Sequence, residues 1–164
     1  MRAAIIIIPL ALAAVLYLSN RMGVMGSIVE KSGVDVQAKI THWANEWRLE
    51  PALVKAIAKV ESNFDPGAKN PSDPSYGLLQ VSPALAYDYG LISDYINPSW
   101  LEIEMILNID NNLNIGCWFL SRLINKYDFD QAVQSYNVGE RGYFLGRRNP
   151  DYLSKVRKYY EEYS

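Results

Sequence analysis

The chain has 164 residues, of which 49% are hydrophobic, and its formal net charge is -2. This length suits one compact domain, and the apolar fraction supports a core, which excludes a disordered chain. The slightly negative net charge gives no sign of a basic surface that could bind nucleic acid, so no nucleic-acid partner is expected.

The first segment, residues 3–18, is apolar and carries no charge. As a helix it would cover roughly 24 Å, slightly less than a bilayer core. Arg2 precedes it and Arg21 follows it, a weak asymmetry that favours a cytoplasmic N-terminus with the rest of the chain outside. We therefore predict a transmembrane anchor over residues 1–19 and a linker containing glycine and serine over residues 20–33. A cleaved signal sequence is the main alternative, and a buried core helix is a third.

The remainder, residues 34–164, is predicted to form one all-α domain with a cleft. Apolar residues at helical spacing and capping signals predict six helices, which run over residues 35–47, 51–61, 83–89, 110–127, 130–136 and onward from 151. Ser82, Asp110 and Asp130 are the expected N-caps, and Gly90 is the expected end of the third helix. Residues 64–75 are rich in Pro, Gly, Asn, Asp and Ser and are predicted to be a loop. No convincing alternating strand run is found.

Glu61 lies at the end of the second predicted helix, on the apolar stripe formed by Leu53, Val54, Ile57 and Ala58. A carboxylate is costly to bury in its ionised form. Such a group is usually paired, or has a raised pKa and a role in acid–base chemistry. The alternative is that Glu61 lies at the helix edge and reaches water. The apolar pattern by itself leaves these two interpretations open.

The other reactive residue types are scarce. Cys117 is the single cysteine, which excludes an intrachain disulfide and a cysteine-based zinc site, and it is predicted to be a core residue. His42 is the single histidine and is interpreted as an ordinary surface or core residue. A serine-hydrolase triad therefore has little support, and no metal or cofactor is expected. The twelve Tyr, four Trp and four Phe could supply core, or line a site for amphipathic ligands such as sugars.

Two blocks near Glu61 resemble a known family. Residues 61–68 read E-S-N-F-D-P-G-A, which resembles the E-S-x-F-x-P-x-A signature of soluble-lytic-transglycosylase (SLT) domains. Residues 77–81 read G-L-L-Q-V, similar to the G-L-M-Q block of that family. Tyr76 and the loop over residues 70–74 depart from the family's pattern.

Three more blocks follow in the family's order. Residues 112–116 read N-L-N-I-G, residues 135–139 read S-Y-N-V-G and residues 152–156 read Y-L-S-K-V. They resemble the N-I-x-x-G, A-Y-N-x-G and Y-x-x-K-V blocks of SLT domains. The five blocks span about residues 36–160, and their layout is similar to the small transglycosylases of phages and of secretion or conjugation machines.

The resemblance implies a lysozyme-like fold and cleavage of the β-1,4 bond between N-acetylmuramic acid and N-acetylglucosamine in peptidoglycan. It implies that Glu61 acts as the sole acid and base, since the substrate's N-acetyl group is thought to stabilise C1 before the muramic 6-hydroxyl attacks. A 1,6-anhydromuramic end would result, with no water consumed. Asp65, in the loop after Glu61, is interpreted as a turn residue rather than a second catalyst. The residues that the resemblance places on the substrate side are Ser62, Gln80, Tyr136, Asn137 and Tyr152.

These roles have alternatives. Ser62 could simply end its helix, Gln80 could support the loop backbone, and Tyr152 could orient Glu61, contact the N-acetyl group or be a core tyrosine. On the same fold, a lysozyme-type hydrolase or a non-catalytic membrane-anchored peptidoglycan-binding module remains open. The expected partners are peptidoglycan glycan strands, the membrane through residues 3–18, and other components of a virion or of a secretion or conjugation complex. The catalytic domain is expected to face the periplasm and cell wall from a bacterial inner membrane or a phage virion membrane.

Overall fold

A computed structural model describes residues 35–164 of the chain. The predicted anchor and linker, residues 1–33, lie outside the described residues and stay predictions. Between residues 35 and 164, no helix is both long and apolar enough to cross a bilayer.

The described part of the chain is mostly helical, as predicted. Its eight helices are α1 (Val36–Glu46), α2 (Pro51–Ser62), α3 (Pro83–Tyr89), α4 (Trp100–Leu107), α5 (Ile109–Lys126), α6 (Phe129–Val138), α7 (Glu140–Phe144) and α8 (Pro150–Tyr163). Two strands of two residues each, β1 (Lys69–Asn70) and β2 (Ser75–Tyr76), form an antiparallel hairpin between α2 and α3. The hairpin corrects the expectation of an irregular loop, because strands this short show no alternating pattern in the sequence.

Helix termini follow the expected chemistry, although two predicted caps are wrong. Ser82 caps α3 and Gly90 ends it in the left-handed conformation, as predicted. The caps of α5 and α6 are Asn108 and Asp128, two residues before the predicted Asp110 and Asp130. An N-cap side chain must precede the free N–H groups of the first turn, and Asp110 and Asp130 lie inside that turn.

Two further helices, α4 and α7, were not predicted from the sequence. Helix α4 begins after Ser99, which forms a reciprocal capping box with Glu102. Its apolar residues have no clear helical stripe, so its periodicity is weak. Helix α7 is only five residues long, too short for a periodic pattern. The last helix begins at Pro150, with Asn149 as its cap, one residue before the predicted start at Asp151.

The core is built around α2 and α5. Helix α2 packs against α1 and α8, and α5 packs against α1, α4 and α6. The fully buried apolar side chains come from all of these elements, and they include Ile40, Val54, Ile57, Ile106, Leu113, Leu120, Val133 and Val156. The segment that follows β2 also enters the core, since Leu78, Leu79 and Val81 are 0–1% exposed. This burial fixes the loop against the C-terminal end of α2, where Glu61 lies.

Candidate active site

Glu61 occupies the last turn of α2. The helix ends immediately afterwards because Asn63 adopts φ 54°. The Asn63 N–H bonds back to the Lys59 carbonyl, and the Phe64 N–H bonds to the Ala58 carbonyl. The Glu61 side chain is partly buried, and its Oε1 accepts a hydrogen bond of 2.6 Å from the Tyr152 hydroxyl. Burial raises the pKa of the Glu61 carboxyl from its ordinary value of 4.5 to about 7, while the Tyr152 hydrogen bond acts in the opposite direction.

Tyr152 reaches Glu61 because α8 packs along α2, which joins residues 91 positions apart. The Tyr152 side chain is only 6% exposed. Burial and the charge of Glu61 raise the pKa of the Tyr152 hydroxyl well above its ordinary value. The hydroxyl therefore remains protonated and donates to the carboxyl group. Tyr152 is in position to orient Glu61, which was one of its predicted roles.

The loop between β2 and α3 turns sharply beside Glu61. Tyr76 and Val81 exchange two backbone hydrogen bonds, of 3.1 and 2.9 Å. Between them, Gly77 has φ 75° and Gln80 has φ 47°, both in the left-handed region. Glycine enters that region without strain, so the turn favours the glycine of the G-L-L-Q block at position 77.

Asn112, on α5, holds this loop in place from inside the core. It is 0% exposed. Its Oδ1 accepts from the Leu79 N–H at 2.9 Å, and its Nδ2 donates to the carbonyls of Tyr76 at 2.7 Å and Ile106 at 3.1 Å. A Cβ on Gly77 would lie 2.5 Å from Asn112 Nδ2. The Asn112 amide therefore occupies space that a larger residue at position 77 would need. Sequence reasoning did not assign Asn112 to the site, although it opens the 112–116 block.

Ser62 and Gln80 also brace the loop. The Ser62 Oγ lies 2.9 Å from the Leu78 carbonyl and 3.1 Å from the Ala58 carbonyl. The Gln80 amide donates to the Gly77 carbonyl at 3.0 Å and accepts from Ser75 Oγ at 2.8 Å. Gln80 therefore supports the loop backbone, which was the predicted alternative to sugar binding, and Ser62 contacts the loop as well as the carbonyl of its own helix.

Tyr136 and Asn137 lie near the end of α6, and Tyr136 contacts the same loop. The Tyr136 hydroxyl donates to the Leu79 carbonyl at 3.0 Å. Gly116 makes this approach feasible, because a Cβ there would lie 2.5 Å from Leu79 and 3.0 Å from the Tyr136 hydroxyl. Asn137 is exposed, and its Oδ1 accepts from the Asn149 amide at 2.8 Å.

These groups border a cleft of about 990 Å³. Glu61, Gln80, Tyr136 and Asn137 line it, whereas Ser62 and Tyr152 are not among its lining residues. Its other carboxylates are Asp73, Asp88 and Glu140. Of these, Glu140 accepts from Lys126 at 2.5 Å and from Tyr127 at 2.9 Å, and these bonds lower its pKa. With a pKa of about 7, the Glu61 carboxyl is near its titration point at neutral pH, as a general acid requires.

The remaining candidates lie away from this chemistry. Asp65 is exposed and accepts from the Gly67 N–H at 2.8 Å, in a turn as expected. Cys117 is buried, as predicted, and burial raises its thiol pKa to about 12. His42 is exposed beside Trp43. Across residues 35–164, no cluster of His, Cys, Asp and Glu could hold a metal ion.

Comparison with known proteins gives a family match. The family model described as the Transglycosylase SLT domain matches residues 38–144. Membrane-bound lytic murein transglycosylase E of Buchnera aphidicola (subspecies Acyrthosiphon pisum, strain APS) is 34% identical over 86 residues. That alignment covers 51% of this chain but only 37% of the relative, so the chain spans little more than a third of that protein.

Solved structures give the same fold. An inactive mutant of the lytic transglycosylase Slt from Pseudomonas aeruginosa superposes with a TM-score of 0.61 at 19% identity, over 80% of this chain and 24% of that chain. The 70-kDa soluble lytic transglycosylase of Escherichia coli gives a TM-score of 0.53 at 19% identity, over 77% of this chain and 22% of that one. At these identities the likeness shows the fold alone: a lysozyme-like helical domain.

Proposed function

The chain belongs to the Transglycosylase SLT domain family, and from that premise we propose that it is a peptidoglycan lytic transglycosylase with Glu61 as its single acid and base. The observation that carries the proposal is the environment of Glu61: a desolvated carboxyl with a pKa of about 7, oriented by Tyr152, on the wall of a large cleft. The scissile bond is the β-1,4 linkage from N-acetylmuramic acid to N-acetylglucosamine.

The proposed reaction uses the Glu61 carboxyl twice, first as an acid and then as a base. In the first step the carboxyl donates its proton to the glycosidic oxygen, and the bond from that oxygen to C1 breaks while the substrate's N-acetyl oxygen stabilises C1. In the second step the Glu61 carboxylate accepts the proton of the muramic 6-hydroxyl, whose oxygen bonds to C1. The product is a 1,6-anhydromuramic end, and Glu61 is protonated again. Because Tyr152 donates to Oε1, the transferable proton is directed to Oε2.

The residues on the cleft wall provide the proposed substrate contacts. Tyr136, Asn137 and Gln80 line the cleft and are proposed to lie against the sugars. We propose that Ser62 and Tyr152 act from behind, by holding the Leu78 carbonyl and the Glu61 carboxyl. The cleft volume is at the upper end of typical ligand pockets, which suits several sugar units.

A digest of purified peptidoglycan, analysed by mass spectrometry, tests the reaction. The proposal expects muropeptides with 1,6-anhydro ends, and exclusively reducing ends would instead identify a lysozyme-type hydrolase. Glu61→Gln should retain the fold and lose activity by a factor of at least about a hundred, the scale expected for loss of a general acid. An inactive wild-type protein that still sediments with peptidoglycan would favour the non-catalytic binding module.

The cellular setting is a further part of the proposal. We propose that residues 3–18 anchor the chain in a membrane and that the domain opens the wall locally, as in phage entry or exit or within a secretion or conjugation machine. The Buchnera relative is described as membrane-bound, which supports the anchor. Replacement of residues 3–18 by a cleavable secretion signal should release the protein into the soluble fraction.

A further inference from the structure

Three arginines lie on the wall of the cleft. Arg122 on α5, Arg141 on α7 and Arg147 after α7 all line the cleft and are all exposed. The ion pairs of the described residues join Lys39 to Asp110, Lys126 to Glu140 and Arg157 to Asp130, so these three arginines are in none of them. The same lining also holds the carboxyl groups of Glu61, Asp73, Asp88 and Glu140. The charge of Arg122 contributes to the lowered pKa of Glu140, but the ion pair of Glu140 is with Lys126.

The backbone around α7 brings two of these charges together. The Arg147 N–H bonds to the Gly142 carbonyl at 3.0 Å, which folds the chain back onto the helix that carries Arg141. Gly142 is buried, and a Cβ there would lie 3.3 Å from Arg147 Cδ, so the Arg147 stem passes close over α7. Two guanidinium groups are thereby presented from one short segment.

The neighbouring Arg148 provides a contrast. Its guanidinium donates to the carbonyls of Tyr143 at 2.8 Å and Arg147 at 2.6 Å, and it stacks 3.6 Å from the centroid of the Tyr143 ring. Arg148 is outside the cleft lining. Its charge holds the loop together, whereas Arg141 and Arg147 are exposed in the cleft lining and, among the described residues, their side chains are in no ion pair.

The chemistry of the substrate supplies a partner for these donors. N-acetylated sugars of the glycan backbone carry no charge, so the backbone alone gives three arginines nothing anionic to bind. The stem peptide on the lactyl group of muramic acid carries free carboxylates, and guanidinium groups bind carboxylates with charge-assisted, often bidentate, hydrogen bonds. We infer that Arg122, Arg141 and Arg147 bind stem-peptide carboxylates, so that the enzyme prefers peptide-bearing glycan to bare glycan. This inference rests on the proposed function.

The test compares two substrates made from one preparation. Intact peptidoglycan and peptidoglycan stripped of its stem peptides by an amidase are digested in parallel, and the release of anhydro ends gives kcat/KM for each. We expect the wild-type enzyme to prefer the intact substrate by about tenfold, the scale of one charge-assisted hydrogen bond. Raising the salt to 0.5 M should reduce this ratio, since exposed charges are screened over a few ångströms. A wild-type ratio near one overturns the inference.

Variants then locate the effect. The Arg141→Gln, Arg147→Gln pair should bring the ratio of the two kcat/KM values close to one, and the Arg141→Lys, Arg147→Lys pair should retain part of the preference because it retains the charge. Lys155→Gln removes an exposed cation outside the cleft lining and should keep the wild-type ratio. A glutamine pair that keeps the full preference also overturns the inference. Absence of anhydro ends from both substrates would instead refute the proposed function itself.

Discussion

At the scale of single residues, the Glu61 carboxyl sets the expected pH range of activity. Its pKa of about 7 arises from burial, and only its protonated form can donate to the leaving oxygen. We predict that kcat/KM falls about tenfold per pH unit above pH 7, because the protonated fraction falls in that proportion. A pH profile of anhydro-end release measures this limb. An alkaline limb near pH 4.5 would mean that Glu61 is solvated.

Removal of the Tyr152 hydroxyl should shift the alkaline limb of the same pH profile. Its hydrogen bond favours the charged form of Glu61 and so lowers the pKa of that carboxyl, which means that Tyr152→Phe should shift the alkaline limb to higher pH. The same change should lower kcat by roughly tenfold, because the carboxyl loses its orientation. Tyr127→Phe is the matched control, since it removes a tyrosine bond to the Glu140 carboxylate and should leave the limb in place.

Glu61 also affects folding. Its folded pKa of about 7 lies above the ordinary 4.5, so the unfolded chain releases this proton first as the pH rises. Below pH 4.5 the carboxyl is protonated in both states and costs the folded protein nothing in charge burial. Between about pH 4.5 and pH 7 the free energy of unfolding therefore falls progressively. We predict that Glu61→Gln raises the free energy of unfolding at pH 8 by up to about 3 kcal/mol, and that this gain shrinks to near zero at pH 4.

Urea unfolding at the two pH values measures the effect. Glu161→Gln, on the exposed surface of α8, is the control and should change stability by less than about 0.5 kcal/mol at either pH. A Glu61→Gln variant that is less stable than the wild type at pH 8 would contradict the prediction.

At the scale of elements, the loop after β2 depends on the fit between Gly77 and Asn112. Gly77→Ala would place a methyl group 2.5 Å from an amide that three hydrogen bonds hold in place, in a backbone with φ 75°. Gly90→Ala is the matched comparison, because φ there is 89° but nothing lies within 4 Å of the added Cβ. We predict a loss of about 1 kcal/mol for Gly90→Ala and at least about 3 kcal/mol for Gly77→Ala. Thermal unfolding measures the stability of both variants. Equal losses would show that the Asn112 side chain can move away from the added methyl group.

Local signals explain which elements the sequence predicts. Helices α1, α2, α5 and α8 have long amphipathic patterns, and their existence follows from periodicity. The cap of α5 was misplaced because Asn108 and Asp110 offer similar side chains within three positions, and Lys39 and Trp43 bind the Asp110 carboxylate in the folded protein. That choice depends on α1 packing beside α5, which periodicity does not encode.

At the scale of the whole molecule, the candidate site is assembled from distant segments. The apolar stripe left open whether Glu61 is buried or reaches water, and the tyrosine that contacts its carboxyl lies 91 residues away. The ordered sequence blocks predicted that these segments belong together. They left open whether Gln80 supports the loop backbone. They did not indicate the loop contacts of Ser62 and Asn112, because those contacts exist only once α2, α5 and the loop have packed.

The helical domain is expected to fold without the N-terminal segment. The core residues belong to the described helices other than α7 and to the loops between them, so residues 36–164 contain a hydrophobic core of their own. We predict that deletion of residues 1–33 leaves the domain folded and active on isolated peptidoglycan while abolishing its sedimentation with membranes. Full-length Glu61→Gln is the control, because it should be inactive but should still sediment with membranes. If the truncated chain also sediments with membranes, the attachment resides in the helical domain; if it unfolds, the N-terminal segment contributes to the core.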